Sequence, residues 1–177
     1  MKKERPKNSS QSYKSGLVQL HYEIIEQFTE AQDKIHFKLV DYGSADYKKA
    51  VALREEILRK PLGLCFTQEE LEREKEHVHI AGFLGQEMCT TAVLVPDGDA
   101  MKMQRVASKA QFQGKGIGSA LIRFCEEYAK EHGFKSIYCH ARDTAVRFYL
   151  KNHYGLEGEP FDEDGIPHRK MRKLITR

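Results

Sequence analysis

No run of apolar residues in this chain approaches the roughly 20 needed to cross a bilayer as a helix. The polar, basic N-terminus has no apolar segment of the kind that opens a secretory leader. These absences lead us to expect a cytoplasmic protein with no membrane partner. Metal-ligand spacing is missing too. The four cysteines, Cys65, Cys89, Cys125 and Cys139, form no CxxC pair, and no histidine cluster joins them, so no metal site is expected. Cys125 falls on the apolar face of a helical pattern, and Cys89 and Cys139 fall in strand-like runs. They read as small buried hydrophobes in a reducing compartment. Charge of one sign is also in short supply. The net value of +3 is too small to imply a nucleic-acid partner by itself. There is no internal repeat.

What is present fits a globular domain. The 177 residues, 40% hydrophobic and 31% charged, are enough for a sizeable core. Residues 1–15 are rich in Lys, Ser, Asn and Gln, with Lys2, Lys3, Arg5, Lys7 and Lys14 set against Glu4. They read as a disordered basic arm, either a solvated tail or a contact for nucleic acid or another acidic surface. Leu17, Leu20, Ile24, Ile25 and Phe28 recur at helical spacing, so residues 16–34 are expected to form an added helix. Residues 35–177 carry the main domain.

In that domain Ile35 to Val40 reads as a strand. Ser44 caps a helix running to about Leu58, which Pro61 and Gly63 end. Thr67 and Glu70 form a capping box for a short second helix. His77 to Leu84 and Met88 to Val95 form a hairpin, and Met101 to Ala107 is a further strand. Ile117, Ala120, Leu121, Phe124, Cys125, Tyr128 and Ala129 share one face of a strongly amphipathic helix ending near Gly133. Ser136 to Ala141 is a strand and Thr144 to Asn152 a helix. Tyr154 to Glu157 and His168 to Leu174 close the chain as two strands around a turn at Asp162 to Gly165. The order predicts a mixed α/β fold, a sheet flanked by helices.

Between the fourth strand and the amphipathic helix lies Gln113-Gly114-Lys115-Gly116-Ile117-Gly118. A glycine-rich turn that opens a helix presents unpaired N–H groups at the positive end of the helix dipole, which suits a phosphate or pyrophosphate. Walker A spacing is absent. The dinucleotide fingerprint fails at its third position, which is Ser119 counted from Gly114 and Leu121 counted from Gly116. A kinase catalytic loop is missing as well.

The stretch does match QxxGxG, carried by Gln113, Gly116 and Gly118. With the strand-turn-helix at 101–131 and the later Ala145, Phe148, Tyr149 and Lys151, it resembles the GNAT superfamily of acetyl-CoA-dependent N-acetyltransferases over residues 35–174. Arg54 to Leu64 and Gly165 to His168 resemble a small bacterial branch of it. The resemblance implies a central mixed, mostly antiparallel sheet. It also implies coenzyme A binding, with acetyl-CoA as co-substrate, and an amine acceptor that is a small molecule or a peptide. Such proteins often form a homodimer. On this reading the backbone from Gln113 to Ser119, through Gly114, Lys115, Gly116, Ile117 and Gly118, holds the pyrophosphate. Lys115 either adds charge or faces solvent. Val106 and Ala107 pair with the pantetheine arm, and a backbone N–H near Val106 polarises the thioester. Tyr149 matches the family's acid for the leaving thiolate, or else packs beside Phe148.

Three departures qualify the resemblance. Met101 to Lys109 holds no Asp or Glu, so the strand carboxylate that often serves as base is missing. His168, His140, Glu56, a water chain or deprotonation in solvent remain, with His168 the catalytic candidate chosen. Arg142 stands where an Asn commonly contacts the cofactor, and is taken as a cofactor contact. His153-Tyr154 replaces the usual Gly-Phe, forcing a non-glycine residue to end the helix. The acceptor is expected between the first two helices and the last hairpin, near Arg54, Arg59, Phe66 and His168. For the two arginines, surface salt bridges are the competing reading. Asp162, Glu163 and Asp164 either attract a cationic amine or are simply solvated. Without the strand base, an acyl-CoA-binding sensor that does not turn over is the rival function.

Overall fold

A computed structural model of the chain describes residues 34–175. The basic arm and all but the last residue of the added helix lie outside the described residues. The elements follow the expected order. Strand β1 is His36–Val40, and helix α1 is Ala45–Arg54, capped by the Ser44 hydroxyl, which accepts from the Tyr47 N–H. The helix continues as a π turn, Glu55–Arg59, and a short 3-10 turn, Lys60–Leu62, that ends on left-handed Gly63. The capping box at Thr67 and Glu70 forms as expected and starts α2, Gln68–Arg73.

Strands β2 (Val78–Leu84), β3 (Glu87–Asp97) and β4 (Ala100–Ser108) form an antiparallel meander. Helix α3 spans Ile117–Glu131, followed by β5, Ser136–Arg142. A 3-10 turn then leads into α4, Val146–Lys151. Strands β6 (Gly155–Glu163) and β7 (Ile166–Leu174) form the closing hairpin. These strands are longer than the sequence pattern suggests. β6 is an edge strand with most residues exposed, so it has no apolar alternation to mark it; backbone pairing with β7 defines it instead.

The seven strands lie in the order β1-β2-β3-β4-β5-β7-β6. Every neighbouring pair is antiparallel except β4 with β5. That parallel pair is short, running from Ala100–Ser136 to Lys102–Tyr138 and no farther. Beyond it the two strands separate, and the β4 edge that would face β5 carries no ladder.

A bulge in β4 adds a second irregularity. Register slips between Thr91 and Val93 of β3, and Arg105 adopts a left-handed φ of 54°. One extra residue inverts the pleat. Met101 and Met103 therefore face the core under α3, as does Val106, while Ala107 faces the opposite cluster under α1. The first core packs Leu121, Ile122 and Cys125 of α3 on Met101, Met103, Ile137 and Met171. Each such fully buried aliphatic side chain contributes roughly 1.5–3 kcal/mol. The second packs Tyr47, Ala50 and Leu53 of α1 on Ala81, Phe83 and Ala107. Both sheet faces are thus held firmly, and the gap between β4 and β5 opens in a rigid frame.

Candidate functional site

One side of the gap is the glycine turn. Gly114 and Gly116 have φ of 75° and 78°, conformations costly for any other L residue. A Cβ at either would meet nothing within 4 Å, so open space surrounds this backbone. Gly116 caps α3, and its carbonyl accepts from the Ala120 N–H. The N–H groups of Ile117, Gly118 and Ser119 therefore lack intrahelical partners and point along the positive end of a 15-residue helix.

Two residues of the motif do something else. The Gln113 N–H is taken by the Ala110 carbonyl at 3.2 Å, and its side-chain Nε2 donates to the Ser108 carbonyl at 3.2 Å. Gln113 stitches the turn to the end of β4, which corrects its expected place in the row of free donors. A Cβ on Gly118 would come within 3.1 Å of the Phe148 ring. Gly118 thus lets α4 pack against α3, where close approach of a phosphate was the expected reason for its glycine. Lys115 sits over the Phe112 ring at 5.8 Å.

The other side is a cleft of roughly 300 Å³. Leu58, Arg59, Leu62 and Glu70 wall it, and β4 from Lys102 to Val106 lies along it. β5 from Cys139 to Arg142, with Ala145 and Tyr149, faces them. Glu163, Asp164, Ile166 and His168 of the last hairpin close the end. Val106 lines the cleft, but Ala107 is buried on the far face, with its carbonyl accepting from Thr90 Oγ1 at 2.9 Å. Any ligand contact at Ala107 is restricted to its remaining backbone edge.

Tyr149 is buried at the foot of the cleft, 6% exposed. Burial, then the neighbouring Cys139 thiol, holds its phenol well above its ordinary pKa, so it is a hydrogen-bond donor at neutral pH. Cys139 itself is pushed up to about 12 by burial and is not a nucleophile. His140 lines the cleft, and burial first, then Lys102, lowers its pKa. Its imidazole is therefore neutral near pH 7. His140 Nδ1 lies 3.4 Å from Glu163 Oε2, close enough for charge coupling though off the line of a hydrogen bond. His168 is in the cleft on the other side of Glu163, with Nε2 at 3.8 Å and Nδ1 bonded to the Ile166 carbonyl at 2.8 Å. Glu56 lines a separate groove beside Lys49 and Lys109, and so leaves the set of candidate bases.

The expected acceptor residues divide. Arg59 lines the cleft and pairs with Glu70 at 2.7 Å. Arg54 and Phe66 do not line it. Arg54 is fully buried, 2.8 Å from Glu74 but off the line of a hydrogen bond. The surface salt bridge considered for it is wrong for the same reason. Phe66 is a buried platform under three guanidinium groups, at 4.6 Å from Arg59, 4.7 Å from Arg105 and 5.2 Å from Arg54. These two residues stand in the wall behind Arg59 and Arg105. Arg142, expected at the cofactor, lines the cleft and donates to the Leu58 carbonyl at 2.8 Å. Its strand position on the face opposite α3 dictates that direction. His153 does take the left-handed turn after α4, with φ of 68°.

Sequence reasoning missed Arg105, Glu74 and Lys102 as site residues, and offered Glu163 only as one of three turn residues that attract an amine or are solvated. A β-bulge has no signature in this strand that would reveal Arg105. Glu70 was visible only as a helix cap, yet its second oxygen binds Arg59 while the first satisfies the Thr67 N–H.

An antiparallel meander, a splayed parallel pair and a glycine turn at the start of a helix define an acyltransferase-type architecture. The family model for the acetyltransferase (GNAT) domain matches residues 64–175, and the chain belongs to that family. Bacillus subtilis YyaT is 35% identical over 80 residues, covering 45% of this chain; the match spans about half, 54%, of YyaT itself. The N-acetyltransferase YjcF of the same organism is 28% identical over 127 residues, 71% of this chain and 91% of that one. Among solved structures, a Lactobacillus plantarum protein assigned to the N-acetyltransferases superposes with a TM-score of 0.71 at 29% identity, covering 81% of this chain and 98% of its own. An aminoglycoside 6'-N-acetyltransferase complexed with coenzyme A shares the fold at a TM-score of 0.67 and 15% identity, over 80% and 98% of the two chains. Among the described residues, no helix is long and apolar enough to cross a membrane, and no group of three or more His, Cys, Asp or Glu is placed to hold a metal ion.

Proposed function

We propose that this protein transfers an acetyl group from acetyl-CoA to a primary amine of a small molecule or peptide by direct attack. The carrying observation is the splay of β4 from β5 after Lys102 and Tyr138, which leaves an unpaired strand edge running from the cleft toward the free N–H groups of α3. That edge suits the amide-bearing pantetheine arm, and the helix start suits its pyrophosphate. Acetyl-CoA, as donor substrate, supplies the thioester.

The chain's own residues then have separate tasks. The Val106 N–H donates to the developing oxyanion. His140, neutral and aimed into the cleft, takes the proton released by the attacking amine as the C–N bond forms and the C–S bond breaks. Tyr149, held protonated, donates a hydrogen bond to the departing thiolate. Glu163 couples to the imidazolium that results. His168 stands one strand farther from the splay and flanks Glu163 from the other side. Arg142 serves the acceptor side of the reading.

The missing β4 carboxylate favours one alternative, an acyl-CoA-binding module without turnover. One assay separates the two: free-thiol release from acetyl-CoA over a panel of amines and peptides. Thiol release with a matching N-acetylated product supports the transferase. Tight acetyl-CoA binding without release from any acceptor supports the sensor. Absence of binding defeats both.

A further inference from the structure

Charge in the cleft is unevenly distributed. Arg142 has only the neutral Leu58 carbonyl as partner, and neither it nor Lys102 lies within ion-pair distance of a carboxylate among the described residues. Arg54, Arg59 and Arg105 share two inner carboxylates, Glu70 and Glu74. Asp164 reaches Arg59 only at 3.6 Å from an exposed position. The wall formed by Arg59, Arg105 and Arg142 therefore carries excess positive charge.

It is also rigid. Arg59 and Arg105 stack on Phe66, and Arg105 is held in a left-handed backbone conformation that an arginine rarely adopts. Fixed, weakly hydrated guanidinium groups recognise a carboxylate without paying to order themselves. The hairpin end is opposite in character. There Glu163 sits between His140 and His168.

Resting on the transferase reading above, we infer that the acceptor is a small zwitterion: a primary amine that also carries a carboxylate. Its amino group lies toward Glu163 and His140: the ammonium loses its first proton to solvent, and the neutral amine yields the second to His140 as the C–N bond forms. Its carboxylate lies on Arg142 and Arg105, next to the Val106 backbone. A cleft of roughly 300 Å³ is at the lower end for ligand sites and suits a molecule of amino-acid size.

The test compares matched acceptors: free amino acids, their C-terminal amides and the corresponding decarboxylated amines. The free acids should exceed both relatives by about 10-fold or more in kcat/KM. Arg142→Gln should raise KM for the acid by about 10-fold and leave the amide within about 2-fold, while Arg142→Lys keeps most of the preference. Unchanged acetyl-CoA affinity of each variant serves as the folding control. Equal rates for acids and amides, or an equal rise in KM for both in Arg142→Gln, overturn the inference although the transferase reading stands. Calorimetry with N-acetylated amino acids and their amides gives a readout independent of turnover. Selective binding of the N-acetylated acid, weakened in Arg142→Gln, supports the carboxylate end of the site. Binding of neither defeats the inference.

Discussion

The glycine turn and the cleft meet at the β4–β5 splay but are built in opposite ways. The turn is contiguous. Gln113 to Ser119 contains its free donors, its two left-handed glycines and the stitch to β4. The cleft is assembled from five separate segments: 58–70, 102–106, 139–142, 145–149 and 163–168. A site for an invariant ligand can be carried by one local motif, because the chemistry of a pyrophosphate asks only for backbone N–H groups. A site for a variable ligand is made from side chains that different loops and strand ends deliver, and it can change without touching the turn.

Substitutions that hit one region and spare the other sharpen that contrast. The largest effect is expected from Gly116→Val. A β-branched residue at φ of 78° costs the fold about 1–2 kcal/mol and fills the space over the α3 donors. Acetyl-CoA binding, measured by calorimetry, should drop by more than about 100-fold, whereas binding of an N-acetylated product in the cleft should persist. Retained cofactor affinity would remove the turn from the donor site.

Next comes His140→Ala. Loss of a general base should lower kcat/KM by about 100-fold at neutral pH. In the unaltered protein the acidic limb of the pH profile should lie below the ordinary histidine value of about 6.5, because burial and Lys102 disfavour the imidazolium. The rate is then full above that value and is lost as pH falls through the lowered one. In His140→Ala the limb should vanish; a limb that survives unchanged belongs to another group, with His168 next in line.

Tyr149→Phe should be milder, slowing kcat by about 10-fold through loss of one hydrogen bond to a charged sulfur. Acetyl-CoA affinity should stay nearly the same, since the backbone donors of the turn are untouched. Normal turnover would leave Tyr149 as packing beside Phe148 and Tyr154.

Glu74→Gln probes the frame behind the cleft. Glu74 is buried and faces Arg54 and Arg105 at once, so one change strands positive charge in the interior. Breaking such a pair costs about 3–5 kcal/mol. Urea unfolding should show a loss of that order with the slope unchanged. A loss under 1 kcal/mol would mean that Arg54 finds water or another partner.

Much of the fold was legible because its signals are local. The Ser44 cap, the Thr67–Glu70 box and the apolar stripe of α3 each announce an element within a few residues. The β6–β7 hairpin was read too short because an exposed edge strand needs no hydrophobic alternation. At the site, Tyr149, Val106, Arg59 and His168 all line the cleft. Arg54 and Phe66 lie in the wall behind it, and Arg142 lines the cleft and donates to the Leu58 carbonyl. A linear pattern shows that an arginine is near a glutamate. It does not show whether the pair is at the surface or buried.

The sequence by itself determined the proposed donor half: a glycine-rich turn in QxxGxG register, after a late strand and before an amphipathic helix, and the family that goes with it. That half is encoded by backbone conformation, which neighbouring residues dictate. Only the tertiary structure decided the cleft, the proposed acceptor half. The β4 bulge inverted the pleat at Arg105, and the early end of the β4–β5 ladder opened the gap. Packing on Phe66 then set the guanidinium groups. These depend on which distant strands pair and where the pairing stops, and no residue in β4 carries that information alone.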